Sequence, residues 1–81
     1  MELKIVLAER LNNLLKKKGW STYKLSRKTG LTPYTLQGIL ACRYDDIKLK
    51  TLILISHAFD MSVSEFLNDE KFLYNNLKID K

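Results

Sequence analysis

The side chains that could carry recognition chemistry are concentrated between Thr32 and Gln37 and in the basic residues around that stretch. An amide such as that of Gln37 can pair with the edge of an adenine, and tyrosine or proline can offer apolar surface to a thymine methyl group. Lysine and arginine neutralise phosphate oxygens, and the N–H groups at a helix N-terminus attract anions. These residue types favour binding of a polyanion over catalysis, which would require acids, bases or a nucleophile grouped in a pocket.

The chain of 81 residues offers little for an enzyme to use. Its one cysteine, Cys42, cannot form an intramolecular disulfide, and together with the one histidine, His57, it gives no metal-binding spacing. A domain of this size also has little core in which to enclose a substrate. We therefore expect no enzymatic activity, no cofactor and no metal site. Because we find no apolar run long enough to span a membrane and no signal peptide, we expect the protein in the cytoplasm.

Positive charge is concentrated in the first half of the chain, although the net charge is only +5. Between residues 10 and 44 there is no acid, and the basic residues are Arg10, Lys16, Lys17, Lys18, Lys24, Arg27, Lys28 and Arg43. Residues 51–81 contain three lysines and five acids, a net charge of −2. A modest net charge can serve solubility alone, but this segregation indicates one face that binds a polyanion.

Apolar residues recur at helical spacing along most of the chain, which predicts an all-α fold of five helices. The predicted helices are a first one of about four turns ending at Lys18, then 22–29, 33–41 and 48–59, and a short fifth that begins at the capping box of Ser62 and Glu65. We expect residues 1–67 to form one domain. Residues 68–81 form a tail that could add one or two helical turns.

The second and third helices are joined by a short turn, which is typical of a helix-turn-helix. Ser26 is small where the two helices come close, and Gly30 stands where the turn favours a positive φ. Leu31, Leu36 and Ile39 are spaced to pack the two helices at a defined angle. We expect Trp20, just before this unit, to lie in the core rather than to serve as a stacking surface.

Two stretches carry a resemblance to a known family, STYKLSRKTGLTPYTLQGIL and LKTLILISHAFDMSVSEFL. They resemble the helix-turn-helix and the following two helices of the XRE family, the lambda-repressor/Cro type, and in particular its small single-domain members. The resemblance covers about residues 4–67. It implies a lambda-repressor-like DNA-binding domain that acts as a sequence-specific transcriptional regulator, with its third helix in the major groove of double-stranded DNA. Cys42 and Asp60 stand where the family often has glycine.

The same resemblance assigns residues to the DNA. Base-reading positions fall on Pro33, Tyr34, Gln37 and Gly38, and Thr35 also faces outward from the third helix. Phosphate contacts are expected from Ser21, Thr22, Tyr23, Lys24, Arg43, Tyr44 and Lys48. Gly38 has no side chain with which to read a base, and its cost of about 1 kcal/mol inside a helix suggests that something must approach its backbone closely.

A single domain presents a small footprint, so we expect a homodimer on two related half-sites. The candidate dimer surface consists of Phe66, Phe72, Leu73, Leu77 and Ile79. The alternative is that the tail folds back on its own core. Repression by occupying a site is the simplest regulatory mode. The alternative function is a helix-turn-helix protein-interaction module, such as an antitoxin or adaptor, that binds a protein partner through the tail or the basic face.

Overall fold

The structure, a computed structural model, describes residues 1–79. Its helices are α1 (Leu3–Lys18), α2 (Thr22–Thr29), α3 (Pro33–Leu40), α4 (Leu49–Ala58) and α5 (Val63–Phe66), followed by two 3₁₀ turns at Glu70–Phe72 and Tyr74–Asn76. Over that range the only β pairing is an isolated bridge between Glu2 and Lys78. The all-α, five-helix prediction is confirmed. None of the helices in the described part is long and apolar enough to cross a membrane.

Side-chain caps fix where three of the helices begin. Ser21 accepts a hydrogen bond from the N–H of Lys24 at the start of α2, and Thr32 does the same for Thr35 at the start of α3. Ser62 and Glu65 form the predicted reciprocal capping box of α5. Each cap satisfies a backbone N–H that has no partner within its own helix.

Two non-glycine residues adopt left-handed backbone conformations at the ends of helices. Cys42 has φ of 59° just after α3, and Asp60 has φ of 61° just after α4. These are the two positions at which the family often has glycine. The backbone requirement that glycine would meet is therefore present at both positions, and aspartate tolerates it better than most residues.

The core is formed by the apolar faces of all five helices. Its buried side chains are Leu7, Leu11, Leu14, Leu15, Leu25, Leu36, Ile39, Leu52, Ile55, Phe59 and Phe66. Trp20 packs against this cluster, and its ring stacks on that of Phe59 with a centroid distance of 5.1 Å. The prediction that Trp20 belongs to the core is confirmed. Leu40 also packs against the cluster, from the end of α3.

Over residues 68–79, the tail folds back on the domain. Phe72 packs against the core, and the Lys71 ammonium lies 3.0 Å from Glu9 of α1. The hydrogen bond and charge of Glu9 raise the pKa of Lys71. The Lys78 N–H donates to the carbonyl of Met1 at 2.8 Å, which ties this residue of the tail to the beginning of the chain.

The tail's conformation changes the candidate dimer surface. Phe66 is only 2% exposed, so its predicted place on that surface is wrong, because its ring fills the core. Phe72 and Leu77 are half-buried and line an apolar groove with Leu3 of α1. Leu73 and Ile79 remain exposed, and on this surface they are the candidates still accessible to a second copy.

Candidate nucleic-acid interface

The turn between α2 and α3 is held by hydrogen bonds as well as by packing. The Ser26 hydroxyl donates to the carbonyl of Leu31, and the Leu31 N–H donates to Thr29 Oγ1 at 3.1 Å. Gly30, with φ of 78°, donates its N–H to the Ser26 carbonyl. The small residue predicted at position 26 thus closes the turn as well as letting the helices approach. This arrangement fixes α3 relative to α2.

The outer face of α3 carries most of the predicted base-reading residues. Leu36 and Ile39 point inward and are buried, whereas Gln37 is exposed and Tyr34 is 67% exposed. Pro33 and Thr35 are half-buried. Thr35 Oγ1 lies 3.0 Å from the hydroxyl of Thr32, so its orientation is defined by the N-terminal cap of the same helix. The face is polar and aromatic, and it opens to solvent at its N-terminal end.

Gly38 departs from the expected arrangement, because it is buried rather than open. The ring of Tyr44 lies over it. A Cβ added at Gly38 would fall 2.7 Å from the Tyr44 hydroxyl oxygen and 2.8 Å from the adjoining ring carbon, Cζ. Gly38 is therefore not open to solvent as predicted, because the Tyr44 ring covers it, whereas the close approach suggested by a glycine inside a helix is present. The approaching group is Tyr44, a residue of this same chain.

Arg43 lies along the N-terminal part of the same face. Its guanidinium carbon is 4.8 Å from the centroid of the Tyr34 ring, and its Nη2 donates to the Tyr34 carbonyl at 3.3 Å. A cation over an aromatic face is attracted by the ring's quadrupole, so this contact favours a defined position for a long side chain. Sequence reasoning placed both residues at the DNA, but no local signal in the sequence showed that they touch each other.

The predicted phosphate contacts fall into separate groups. Ser21, Thr22 and Tyr23 surround the start of α2, where Tyr23 is 68% exposed. Lys48 and Tyr44 line one groove together with Thr35, beside α3. Lys24 instead holds its ammonium 5.4 Å from the Trp20 ring centroid.

Two further lysines share the ring with Lys24. The ammonium groups of Lys18 and Lys28 lie 5.9 Å and 4.8 Å from the Trp20 centroid. Three cations therefore converge at the corner between α1 and α2. The sequence put two of these lysines in one helix at a spacing of one turn, but it did not show that Trp20 would lie between them and Lys18.

The positive charge around this surface is not neutralised within the described chain. The ion pairs of residues 1–79 involve Lys4 and Lys71 and none of the basic residues between positions 10 and 44. Lys4 lies 3.3 Å from Asp45, an acid in the loop beside Tyr44. The hydrogen bond that the Lys4 ammonium donates to Asp45, with the charges of Glu2 and Asp45, raises the pKa of Lys4. No group of three metal-binding side chains occurs in the described part of the chain.

Comparison with known families agrees with this geometry. Residues 10–71 match the Cro/C1-type HTH DNA-binding domain, which covers α2 and α3 in full and most of the remaining fold. No curated protein and no solved structure gives a match. Domains of the matched type bind double-stranded DNA in regulation and are not normally enzymes. The helix-turn-helix geometry and the family match lead to one conclusion: the chain belongs to the Cro/C1-type HTH DNA-binding domain family.

Proposed function

We propose that this protein is a sequence-specific transcriptional regulator that inserts α3 into the major groove of double-stranded DNA. The observation that carries the proposal is the face of α3, where Tyr34 and Gln37 are exposed and the guanidinium of Arg43 lies over the Tyr34 ring. A major groove admits one helix and displays a distinct pattern of donors, acceptors and methyl groups at each base pair. This face supplies an amide, aromatic surface and positive charge for such a pattern.

Each base-reading residue has a defined chemical role. The Gln37 amide donates one hydrogen bond to an adenine and accepts another, which is worth about 1–3 kcal/mol of discrimination. Pro33 and Tyr34 place apolar surface against thymine methyl groups. Thr35, held by Thr32, presents its methyl group or hydroxyl at the edge of the same contact.

The phosphate backbone is bound on both sides of α3. At one side Ser21, Thr22 and Tyr23 present hydroxyls and N–H groups at the positive end of α2. At the other side Arg43 and Lys48 provide positive charge. Lys24 lies over the Trp20 ring at the corner between α1 and α2, whereas Arg43 lies over Tyr34 on α3 itself, so we expect Lys24 to contribute less to affinity than Arg43.

Tight binding requires two copies on neighbouring half-sites, since one domain buries only about 600–1,000 Å². Leu73 and Ile79 supply the exposed apolar part of the dimer surface, flanked by half-buried Phe72 and Leu77. Replacing Leu73 and Ile79 by serine should then shift sedimentation from dimer to monomer at binding concentrations. A wild-type chain that is monomeric on its site would contradict the dimer.

The dimer represses by occupying its site, and it acts in the cytoplasm.

The decisive test is a selection of bound sites from random duplexes, carried out with the wild type and with Gln37→Ala. We expect the wild type to select a defined site and Gln37→Ala to lose preference at one base pair of it. Asn75→Ala, which removes an exposed amide in the tail, serves as the matched control and should select the wild-type site. An unchanged preference in Gln37→Ala would remove Gln37 from base reading.

A second candidate function, binding of a protein partner as an antitoxin or adaptor, draws support from Leu49 and Ile53. These residues lie one turn apart on α4 and are 64% and 48% exposed. A salt titration with duplex DNA separates the two functions. The affinity of a DNA-binding protein falls steeply with salt concentration, because counterions are released when phosphates are neutralised. A module that binds only protein shows no such affinity.

A further inference from the structure

Tyr44 occupies the space that a side chain at Gly38 would fill. Three atoms of Tyr44 (Oη, Cζ and Cε2) lie within 3 Å of the point where a Cβ would stand at Gly38. Real Cβ atoms are essentially never so close to another heavy atom, so any larger residue at position 38 would displace the ring. Gly38 and Tyr44 therefore form one unit, in which the glycine makes room and the tyrosine covers it.

The backbone after α3 explains how a residue six positions later reaches this helix. Cys42 adopts the left-handed conformation, which turns the chain back toward α3. The Arg43 N–H then donates to the Gly38 carbonyl at 2.9 Å, beside the contact with the Tyr44 ring. Lys4 pairs with Asp45 immediately after the tyrosine. Attachments on both sides of Tyr44 thus hold this loop in place.

Tyr44 also keeps functional groups available. Tyr44 is 37% exposed, and its hydroxyl makes no hydrogen bond within the described chain. Neighbouring Arg43 is held on the ring of Tyr34, one turn before Gly38. The loop therefore places two of its side chains on the outer face of α3. Arg43 lies over Tyr34, and Tyr44 lies over Gly38.

We propose that Tyr44 takes the place of the missing side chain at Gly38 and reads a base edge in the major groove with its hydroxyl. The inference rests on the proposed function, in which this face of α3 enters that groove. It differs from the phosphate contact that the sequence position of Tyr44 suggested. Because the Tyr44 ring packs on the surface of α3, its hydroxyl enters the groove together with that helix. The base pair it reads is a neighbour of the one read by Gln37, since the two positions are adjacent along the helix.

The test compares Tyr44→Phe with Tyr23→Phe, which removes the hydroxyl of an exposed tyrosine at the start of α2. Affinity is measured for the selected site, for its single-base-pair variants and for an unrelated duplex. We expect Tyr44→Phe to weaken binding to the selected site by about 3- to 10-fold, the loss of one hydrogen bond, and to flatten preference at one base pair only. Its affinity for the unrelated duplex should stay at the wild-type value. Tyr23→Phe should weaken all duplexes by a common factor, as loss of a phosphate contact would.

A second variant tests the pairing of the two residues. Gly38→Ala should displace the Tyr44 ring and flatten preference at the same base pair, and adding Tyr44→Phe to it should change nothing further. Circular dichroism of both variants checks that the fold is retained. The inference is overturned if Tyr44→Phe weakens all duplexes equally or leaves every affinity unchanged. If Gln37→Ala loses preference at one base pair and Tyr44→Phe does not, the inference fails and the proposed function stands. Both fail together only if the wild type has no sequence preference at all.

Discussion

At the scale of single residues, Arg10 joins α1 to the end of α5. Its Nε donates to the Phe66 carbonyl at 2.8 Å and its Nη2 to the Glu65 carbonyl at 3.1 Å, while the guanidinium lies 5.6 Å from the centroid of the Phe66 ring. The last carbonyls of a helix have no partner within the helix, and a planar fork of donors can satisfy two of them at once. This cation of the basic half therefore has a structural task.

We expect Arg10→Lys to lower the free energy of unfolding by about 1–3 kcal/mol, because lysine keeps the charge but cannot form both hydrogen bonds in this geometry. Chemical denaturation measures the change. Arg27→Lys is the matched control, since Arg27 is exposed and forms no side-chain hydrogen bond among the described residues, and its effect should stay within about 0.5 kcal/mol. Equal effects of the two variants would show that Arg10 contributes only its charge.

Asp60 provides a second prediction for a single residue. Its φ of 61° places it in a region where a Cβ costs free energy, and aspartate tolerates that region better than most residues. Asp60→Gly should therefore be more stable than Asp60→Ala by about 1 kcal/mol. Thermal unfolding of the two variants, compared at one pH, measures the difference. A ranking with alanine above glycine would contradict a left-handed conformation at this position in solution.

At the scale of helices and loops, the tail is part of the folded unit. Lys71 reaches Glu9, Lys78 bonds to Met1, and the side chain of Phe72 packs against the core from the first 3₁₀ turn. The following residue, Leu73, is 60% exposed. Two adjacent apolar residues thus have opposite surroundings, which makes them a natural pair for testing how the tail docks.

We expect Phe72→Ala to lower the free energy of unfolding by about 1–2 kcal/mol, less than for a fully buried aromatic, because the ring is only partly covered. Leu73→Ala should change it by no more than about 0.5 kcal/mol. Denaturant unfolding at low protein concentration, where a dimer would dissociate, measures both. If Leu73→Ala costs as much as Phe72→Ala under those conditions, the tail packs differently from the arrangement described above.

The sequence predicted the helices well, because periodicity and caps are local signals. The ends of α2, the capping box of α5 and the inward residues of α3 all follow from spacings of three and four. The position of Tyr44 over Gly38 could not be predicted in this way. It depends on the left-handed conformation of Cys42, which a cysteine does not indicate in a sequence, and on a contact between a loop and the face of a helix. The burial of Phe66 likewise depends on how α5 meets α1, which the amphipathic pattern of so short a helix does not determine.

At the scale of the whole molecule, the basic residues of this surface form two sets that differ in what their charged groups contact. Lys18, Lys24 and Lys28 converge on Trp20 at the corner between α1 and α2, whereas Arg43 lies on the face of α3. Both sets contribute to the positive field that attracts DNA. Only a cation that neutralises a phosphate in the complex releases a counterion, so the two sets should differ in how they affect the salt dependence of binding.

We expect Arg43→Gln to reduce the slope of log K against log salt concentration by about 0.9, the value for one phosphate contact on a duplex. Lys28→Gln removes the same charge but should reduce that slope by less than half as much, because the Lys28 ammonium lies over Trp20 at the corner between α1 and α2, whereas Arg43 lies over Tyr34 on α3. Fluorescence anisotropy with one labelled duplex at a series of salt concentrations gives both slopes. Equal reductions would mean that the α1–α2 corner also lies against the backbone, and that the DNA-bound surface is wider than the face of α3 and its flanking loop.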